Sequence, residues 1–163
     1  MADAASLDRP DVIVFPPAIP LATLATSAVL QWFAPIGLIA HMDALWRIAI
    51  GTIVLVSGLV TASAGRRALL RGKTNINPSL PTTGLVIDGI FGYSRNPLYV
   101  GGSLALCGIA LLFDLDWMLF LILPACILLH FAVVLREERY LEQKFGDVYR
   151  RYKLRVPRYF FGN

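Results

Sequence analysis

Four stretches of the chain run without polar interruption. Residues 17–40 contain no charge, 44–64 contain only Arg47, and 98–113 and 117–135 are again uncharged. A helix crossing a hydrocarbon core needs roughly 20 apolar residues, so the pattern predicts four transmembrane helices, the third short enough to require local thinning of the bilayer. Only "HMD" separates the first two runs and only "DLD" the last two. Connections that short predict two helical hairpins. Pro20 and Pro35 are expected to kink the first span and Pro124 the fourth, because proline removes an intrahelical hydrogen bond. Gly51, Ser57 and Gly58 in the second span, and "YVGGSLALCG" in the third, give small-residue faces for close helix contact.

Two polar stretches flank the second hairpin. The connector 65–97 holds "NPSLPTTG", whose proline and glycine content rules out one continuous helix, and a loop of that length is expected to be functional. In the tail 136–163, Leu141 and Phe145 stand among charges, predicting that the fourth span continues as an amphipathic helix to a stop at Gly146. Asp147 is placed to cap a further short helix with Tyr149 and Tyr152 on one face.

Composition turns the pattern into a class. Of 163 residues, 56% are hydrophobic and 16% charged, with a mean hydropathy of +0.63. Soluble domains carry roughly half apolar and a quarter charged residues, so the chain reads as a single all-α integral membrane domain, 1–163. Arg66, Arg67, Arg71, Lys73 and Arg95 fall between spans two and three, and Arg136, Arg139, Lys144, Arg150 and Arg151 follow span four. Basic residues stay inside, so both termini are expected in the cytoplasm, at the inner membrane if the source is bacterial. The net charge of +4 then reflects topology and attraction to anionic lipid headgroups, with no nucleic acid as partner. The opening "MADAASLDRPD" is acidic where a signal peptide is basic, so no cleaved leader is expected. Cys107 and Cys126 lie inside predicted spans without ligand spacing and read as packing residues, not a metal site. His41 reads as a solvated histidine of the outer loop. The pattern does not fix an oligomeric state.

The chemistry-bearing residues form two groups. In "DGIFGYSRNPLYVGG" a proline opens span three, and free backbone N–H groups at a helix start favour an anionic ligand group. Arg95 and Tyr99 serve equally as interfacial anchors on this reading. In "REERYLEQKFGDVYRRYKLRVPRYF" the acidic pair Glu137 and Glu138 directly follows span four. Such carboxylates either accept hydrogen bonds from an amine or ribose, or pair with nearby arginines as a solvated cluster. Both groups leave the membrane on the same side.

"SRNPLYVG", followed two spans later by "REE", "FGDVYRRY" and "RVPR", resembles the superfamily of isoprenylcysteine carboxyl methyltransferases and phospholipid methyltransferases, over residues 89–158. The resemblance implies S-adenosylmethionine as cofactor, bound on the cytoplasmic side. It implies a first cofactor motif of Tyr93, Arg95, Asn96, Pro97, Tyr99 and Gly101, and a second of Glu137 and Glu138. Arg155, with Tyr149 and Tyr152, matches residues near the substrate. Asn96 departs from the histidine usual in the carboxyl methyltransferases and cannot titrate near neutral pH. Gly92 departs too, where related sequences often carry arginine.

The implied acceptor is lipophilic and enters from the bilayer: a prenylcysteine-like carboxylate, a phospholipid amine, or an isoprenoid thiol or acid. A carboxylate needs no base and Arg155 is available to hold it; an amine or thiol must lose a proton, for which Glu138 is the candidate. Two other readings stand beside this one: a nicotinamide-dependent membrane reductase of the sterol reductase type, and a non-catalytic membrane scaffold. Transport is disfavoured, because no charge lies deep within a span.

Overall fold

The computed structural model describes residues 8–77 and 80–160. Outside them lie residues 1–7 of the acidic opening, Pro78 and Ser79 of the long loop, and residues 161–163 of the tail. Among the described residues all regular structure is helical: α1 (Ala18–Phe33), α2 (Ala44–Arg71), α3 (Pro97–Leu112), α4 (Asp116–Leu129) and α5 (Leu135–Arg155), with single 3₁₀ turns at Ile39–His41 and Gly89–Gly92. A π turn, His130–Val134, joins α4 to α5 without a break. Two helices are long and apolar enough to cross a membrane, α2 and the continuous rod Asp116–Arg155. The helices α1 and α3, at 16 residues each, reach only about 24 Å at 1.5 Å per residue.

Several boundaries differ from the sequence expectation. The first span was expected over 17–40, but α1 ends at Phe33 and Pro35 follows it, so this proline terminates where a kink was expected. Pro20 sits in the first turn of α1, where a missing N–H costs nothing. The long loop was expected from residue 65, but α2 continues to Arg71. Its last turns, "AGRRALLR", are rich in strong helix formers, and their charges point outward. The kink in α5 does fall at Gly146, which takes φ +54°.

The close packing is between α2 and α3. The three buried residues of α2 are Gly51, Gly58 and Gly65, spaced by seven, so they share one side of the helix. They face Gly101 and Gly108 of α3. A Cβ on Gly58 would lie 2.5 Å from the Ala105 backbone nitrogen, and one on Gly108 would lie 2.5 Å from that of Leu55. Gly51 meets Leu112 while Gly65 meets Leu98, so the two helices run in opposite directions. Here backbone meets backbone, the gain that small residues give where lipid supplies no hydrophobic drive.

The partner of α1 is α4, whereas the short "HMD" connector predicted a hairpin of the first two spans; α1 and α2 share little contact. The reason lies in the connection, in which α1 ends early and residues 34–43 are free to swing away. Asp116 holds them there, accepting from Gly37 N at 2.8 Å, Ile39 N at 2.7 Å and Gln31 Nε2 at 3.1 Å. This carboxylate is 1% exposed, and three donors compensate its burial. Trp117 Nε1 donates to Ala34 O, and Arg47 pairs with Asp114 beside it.

At the opposite end, the loop after α2, the start of α3 and the tail come together. Thr74 Oγ1 accepts from Thr83 N and Gly84 N, and Tyr140 Oη accepts from Thr82 N while donating to Asp8. The loop without helix is therefore tied both to itself and to α5.

Gly58→Leu would force side-chain atoms into the α3 backbone and should lower the thermal midpoint in detergent by the equivalent of roughly 1–3 kcal/mol or more. Gly102→Ala, where a Cβ meets nothing within 4 Å, should leave it equal or slightly raised. Equal midpoints for both variants would contradict the close approach.

Candidate active site

Sequence geometry sets the turn that opens α3. Pro97 occupies its first position, where the absent N–H is not missed. The preceding residues bond to the tail: Arg95 N donates to Pro157 O at 3.0 Å, and Asn96 Nδ2 and Ser94 Oγ both donate to Arg158 O. Asn96 thus spends its amide in holding the C-terminal strap, with its own N–H on Ser94 Oγ.

Behind this turn lies a cavity partly open to solvent. Arg95 and Asn96 line it from the turn before α3, Pro97 and Tyr99 from α3, and Glu137, Glu138, Tyr149 and Tyr152 from α5. Gly146 makes that convergence possible: the helix bends there, and Tyr149 and Tyr152 fold back on Leu85, Ile87, Leu141 and Phe145.

The charges are arranged unevenly. Glu138, 5% exposed, accepts from Arg158 through Nε at 3.0 Å and Nη2 at 2.8 Å, and pairs with Arg95 Nη2 at 3.5 Å. The Nε and Nη1 of Arg95 are buried without a partner among the described residues. Unsatisfied guanidinium nitrogens in an interior are costly and mark a place where an acceptor is missing. Glu137 takes the Tyr99 hydroxyl at 2.6 Å. Burial pushes the Glu137 carboxyl up to about 7; the Tyr99 hydrogen bond opposes this and the Glu138 charge adds to it. Tyr149 and Tyr152 are also pushed up, chiefly by burial, and stay protonated as donors. The Tyr152 hydroxyl is spent on Phe91 O at 2.7 Å.

Three residues that the resemblance nominated lie elsewhere. Tyr93 is 72% exposed and outside the cavity. Gly101 faces α2, where a Cβ would strike Ala62 N, so its service is packing. Arg155 projects into solvent from the last turn of α5, its Nε on Arg151 O at 3.4 Å. Arg158, three residues on and beyond the helix end, is the arginine that reaches the buried carboxylate.

The sequence reading missed one wall and one histidine. The wall is the loop, through Thr74, Asn75, Gly84, Leu85 and Val86, with Pro10 from the N-terminal segment. The histidine is His130, first residue of the π turn, with Nδ1 2.8 Å from the Tyr159 hydroxyl. A lone histidine eight residues after Ile122 in an otherwise apolar run was the available signal.

Two apolar crevices adjoin the polar cavity. One shares Ile76, Leu98 and Tyr99 with it and opens beside α1. The other opens on the far side toward His130 and Tyr159. Both include Tyr99, Ser103, Ile122, Cys126 and Leu129, and Ser103 Oγ lies 3.5 Å from Cys126 Sγ, so the two crevices flank the contact between α3 and α4 and each borders Tyr99 of the polar cavity.

Glu137 gives the site a pH signature in stability. Its folded value of about 7 lies above the ordinary 4.5, so the fold is favoured below pH 4.5 and loses that advantage as pH rises through 7. Glu137→Gln should match the wild-type thermal midpoint near pH 4.5 and exceed it at pH 8, by the equivalent of about 3 kcal/mol at most. A difference that does not vary with pH would show that the carboxyl ionises freely.

Comparison with known proteins fits this architecture. The family model for phospholipid methyltransferases matches residues 46–148, from the start of α2 past the Glu137 and Glu138 pair. No curated protein and no solved structure matches the chain. Tyr149, Tyr152, Arg155 and Arg158 lie beyond the matched segment. A match over more than half the length, on a helical chain with two membrane-length helices, places the protein in the phospholipid methyltransferase family of integral membrane methyltransferases.

Proposed function

We propose that the protein transfers a methyl group from S-adenosylmethionine to a lipophilic acceptor. The observation that carries this is the Arg95 guanidinium, buried with two unpartnered nitrogens beside the Glu138 carboxylate. Together they suit the two ends of an amino-acid group: Arg95 Nε and Nη1 for a carboxylate, Glu138 for an ammonium. Tyr149 adds a protonated hydroxyl, and Leu85, Val86 and Leu141 supply apolar walls for the nucleoside. The residues present therefore fit the cofactor. When bound, it supplies an electrophilic methyl group on a sulfonium.

The chain's own part is orientation and exclusion of water. Phe91, Pro97 and Leu98 close the cavity on the side of α3, and a methyl transfer depends on in-line positioning in a dry site. The crevices that flank the α3–α4 contact suit an acceptor with a hydrocarbon chain, since each meets the polar cavity at Tyr99 and is lined almost wholly by apolar side chains. Glu138, expected as a base, has both oxygens engaged by guanidinium groups; its proposed role is to hold the cofactor. Arg155 has no proposed contact with substrate. In this reading α1 to α4 all lie within the bilayer, the short α1 and α3 under a locally thinned leaflet. The charged end and both termini face the cytoplasm.

Calorimetry in detergent should show binding of S-adenosylmethionine and of its demethylated product, and none of NADPH. Arg95→Met and Glu138→Gln should each weaken that binding by about 10- to 100-fold, the loss of one charge-assisted contact. Unchanged affinity in both variants, or preference for NADPH, would overturn the proposal.

A further inference from the structure

His130 stands apart from the cofactor cavity yet borders the second apolar crevice, which reaches that cavity at Tyr99. It is the one basic side chain in the apolar stretch 117–135, and an ionisable group at such a position is expensive to keep unless it is used. The helix departs from α geometry at this residue, entering the π turn His130–Val134, a distortion that often re-aims a functional side chain. Its ring is fixed from outside the membrane stretch: Nδ1 lies 2.8 Å from Tyr159 Oη, and the Phe131 ring stands edge-on to it at 4.9 Å. In the tautomer whose Nδ1–H donates to Tyr159 Oη, the lone pair is on Nε2.

We infer that His130, oriented by Tyr159, accepts the proton that an amine acceptor must lose before methyl transfer. The inference rests on the methyl-transfer reading above. The titratable groups that share the crevice with His130 are Tyr159 from the strap, Tyr99 and Cys107 from α3, and Cys126 one turn back on α4. None is a free carboxylate. Glu138 is paired with two arginines, and Glu137 holds its proton up to about pH 7 while facing the cofactor cavity. His130 is thus the unpaired base on the acceptor's side. An ammonium headgroup in the crevice beside His130 gives one proton to His130 Nε2. The freed nitrogen lone pair then bonds to the methyl carbon of the sulfonium donor, whose C–S bond breaks with both electrons remaining on sulfur. The product is the methylated ammonium, and His130 returns its proton to water.

The test uses the full chain in mixed micelles with dioleoylphosphatidylethanolamine as amine acceptor, N-acetyl-S-farnesylcysteine as carboxylate acceptor, and labelled S-adenosylmethionine. For His130→Gln, transfer to the amine at pH 7 should fall about 100-fold or more, the usual worth of a general base. Cofactor affinity by calorimetry should be unchanged. The deficit should shrink at least about tenfold near pH 9.5, where an amine with an ordinary pKa of roughly 10 loses its proton to water unaided. Tyr159→Phe, which leaves the imidazole in place, should show a smaller loss with the same recovery at high pH and unchanged KM. It serves as the test if the histidine variant does not fold. A loss equal at both pH values, or wild-type transfer to the carboxylate alone or to neither acceptor, overturns the inference. Failure of the wild type to bind the cofactor is the separate result that strikes the methyl-transfer reading itself.

Discussion

The backbones of α2 and α3 touch at Gly58 and Gly101, where either added Cβ would fall 2.6 Å from the other glycine's carbonyl oxygen. That contact leaves the two helices almost no freedom to slide. Because Gly65 and Leu98 meet at the end of the same seam, the seam fixes where α3 begins, and so where the Ser94 to Asn96 turn emerges. The position of Arg95 is set by packing several turns away.

Around that fixed turn the molecule closes itself with hydrogen bonds from sequence-distant segments. The strap 156–160 accepts from three consecutive residues of the turn, covers Glu138 with Arg158, and reaches back to His130. Tyr140 fastens the loop and the N-terminal segment to α5. The polar cavity is thus built by pieces that have little regular structure of their own. The resulting arrangement is stiff in its charges and incomplete at one place, the two bare nitrogens of Arg95.

The helical class and the glycine faces were legible because composition and spacing speak for them directly. Arg95, Asn96, Tyr99, Glu137 and Glu138 were legible because two motifs flank one hairpin. What failed shares a physical cause. Helix ends near charges were misread, since Arg66, Arg67 and Arg71 look like loop by charge and are helix by propensity. The pairing of α1 with α4 follows from Asp116, two of whose three donors are backbone N–H groups of a turn that no periodicity announces. Arg155 and Arg158 have the same chemistry, and only the end of α5 between them decides which one turns inward. The loop wall was invisible for the same reason: Thr74 and Gly84 converge through hydrogen bonds, not through a pattern.

The π turn ahead of α5 bears on inheritance as well as shape. Such a turn carries one residue more than an α turn, and each residue advances a helix by about 100°. Glu137 and Glu138 therefore owe their inward direction to an insertion in the register of the rod. Removal of a single residue anywhere in 130–134 would leave the hydropathy profile almost untouched while swinging both carboxylates away from Arg95 and Tyr99. Among relatives, the spacing between the fourth apolar run and the acidic pair should therefore be held more tightly than the identity of the apolar residues that fill it.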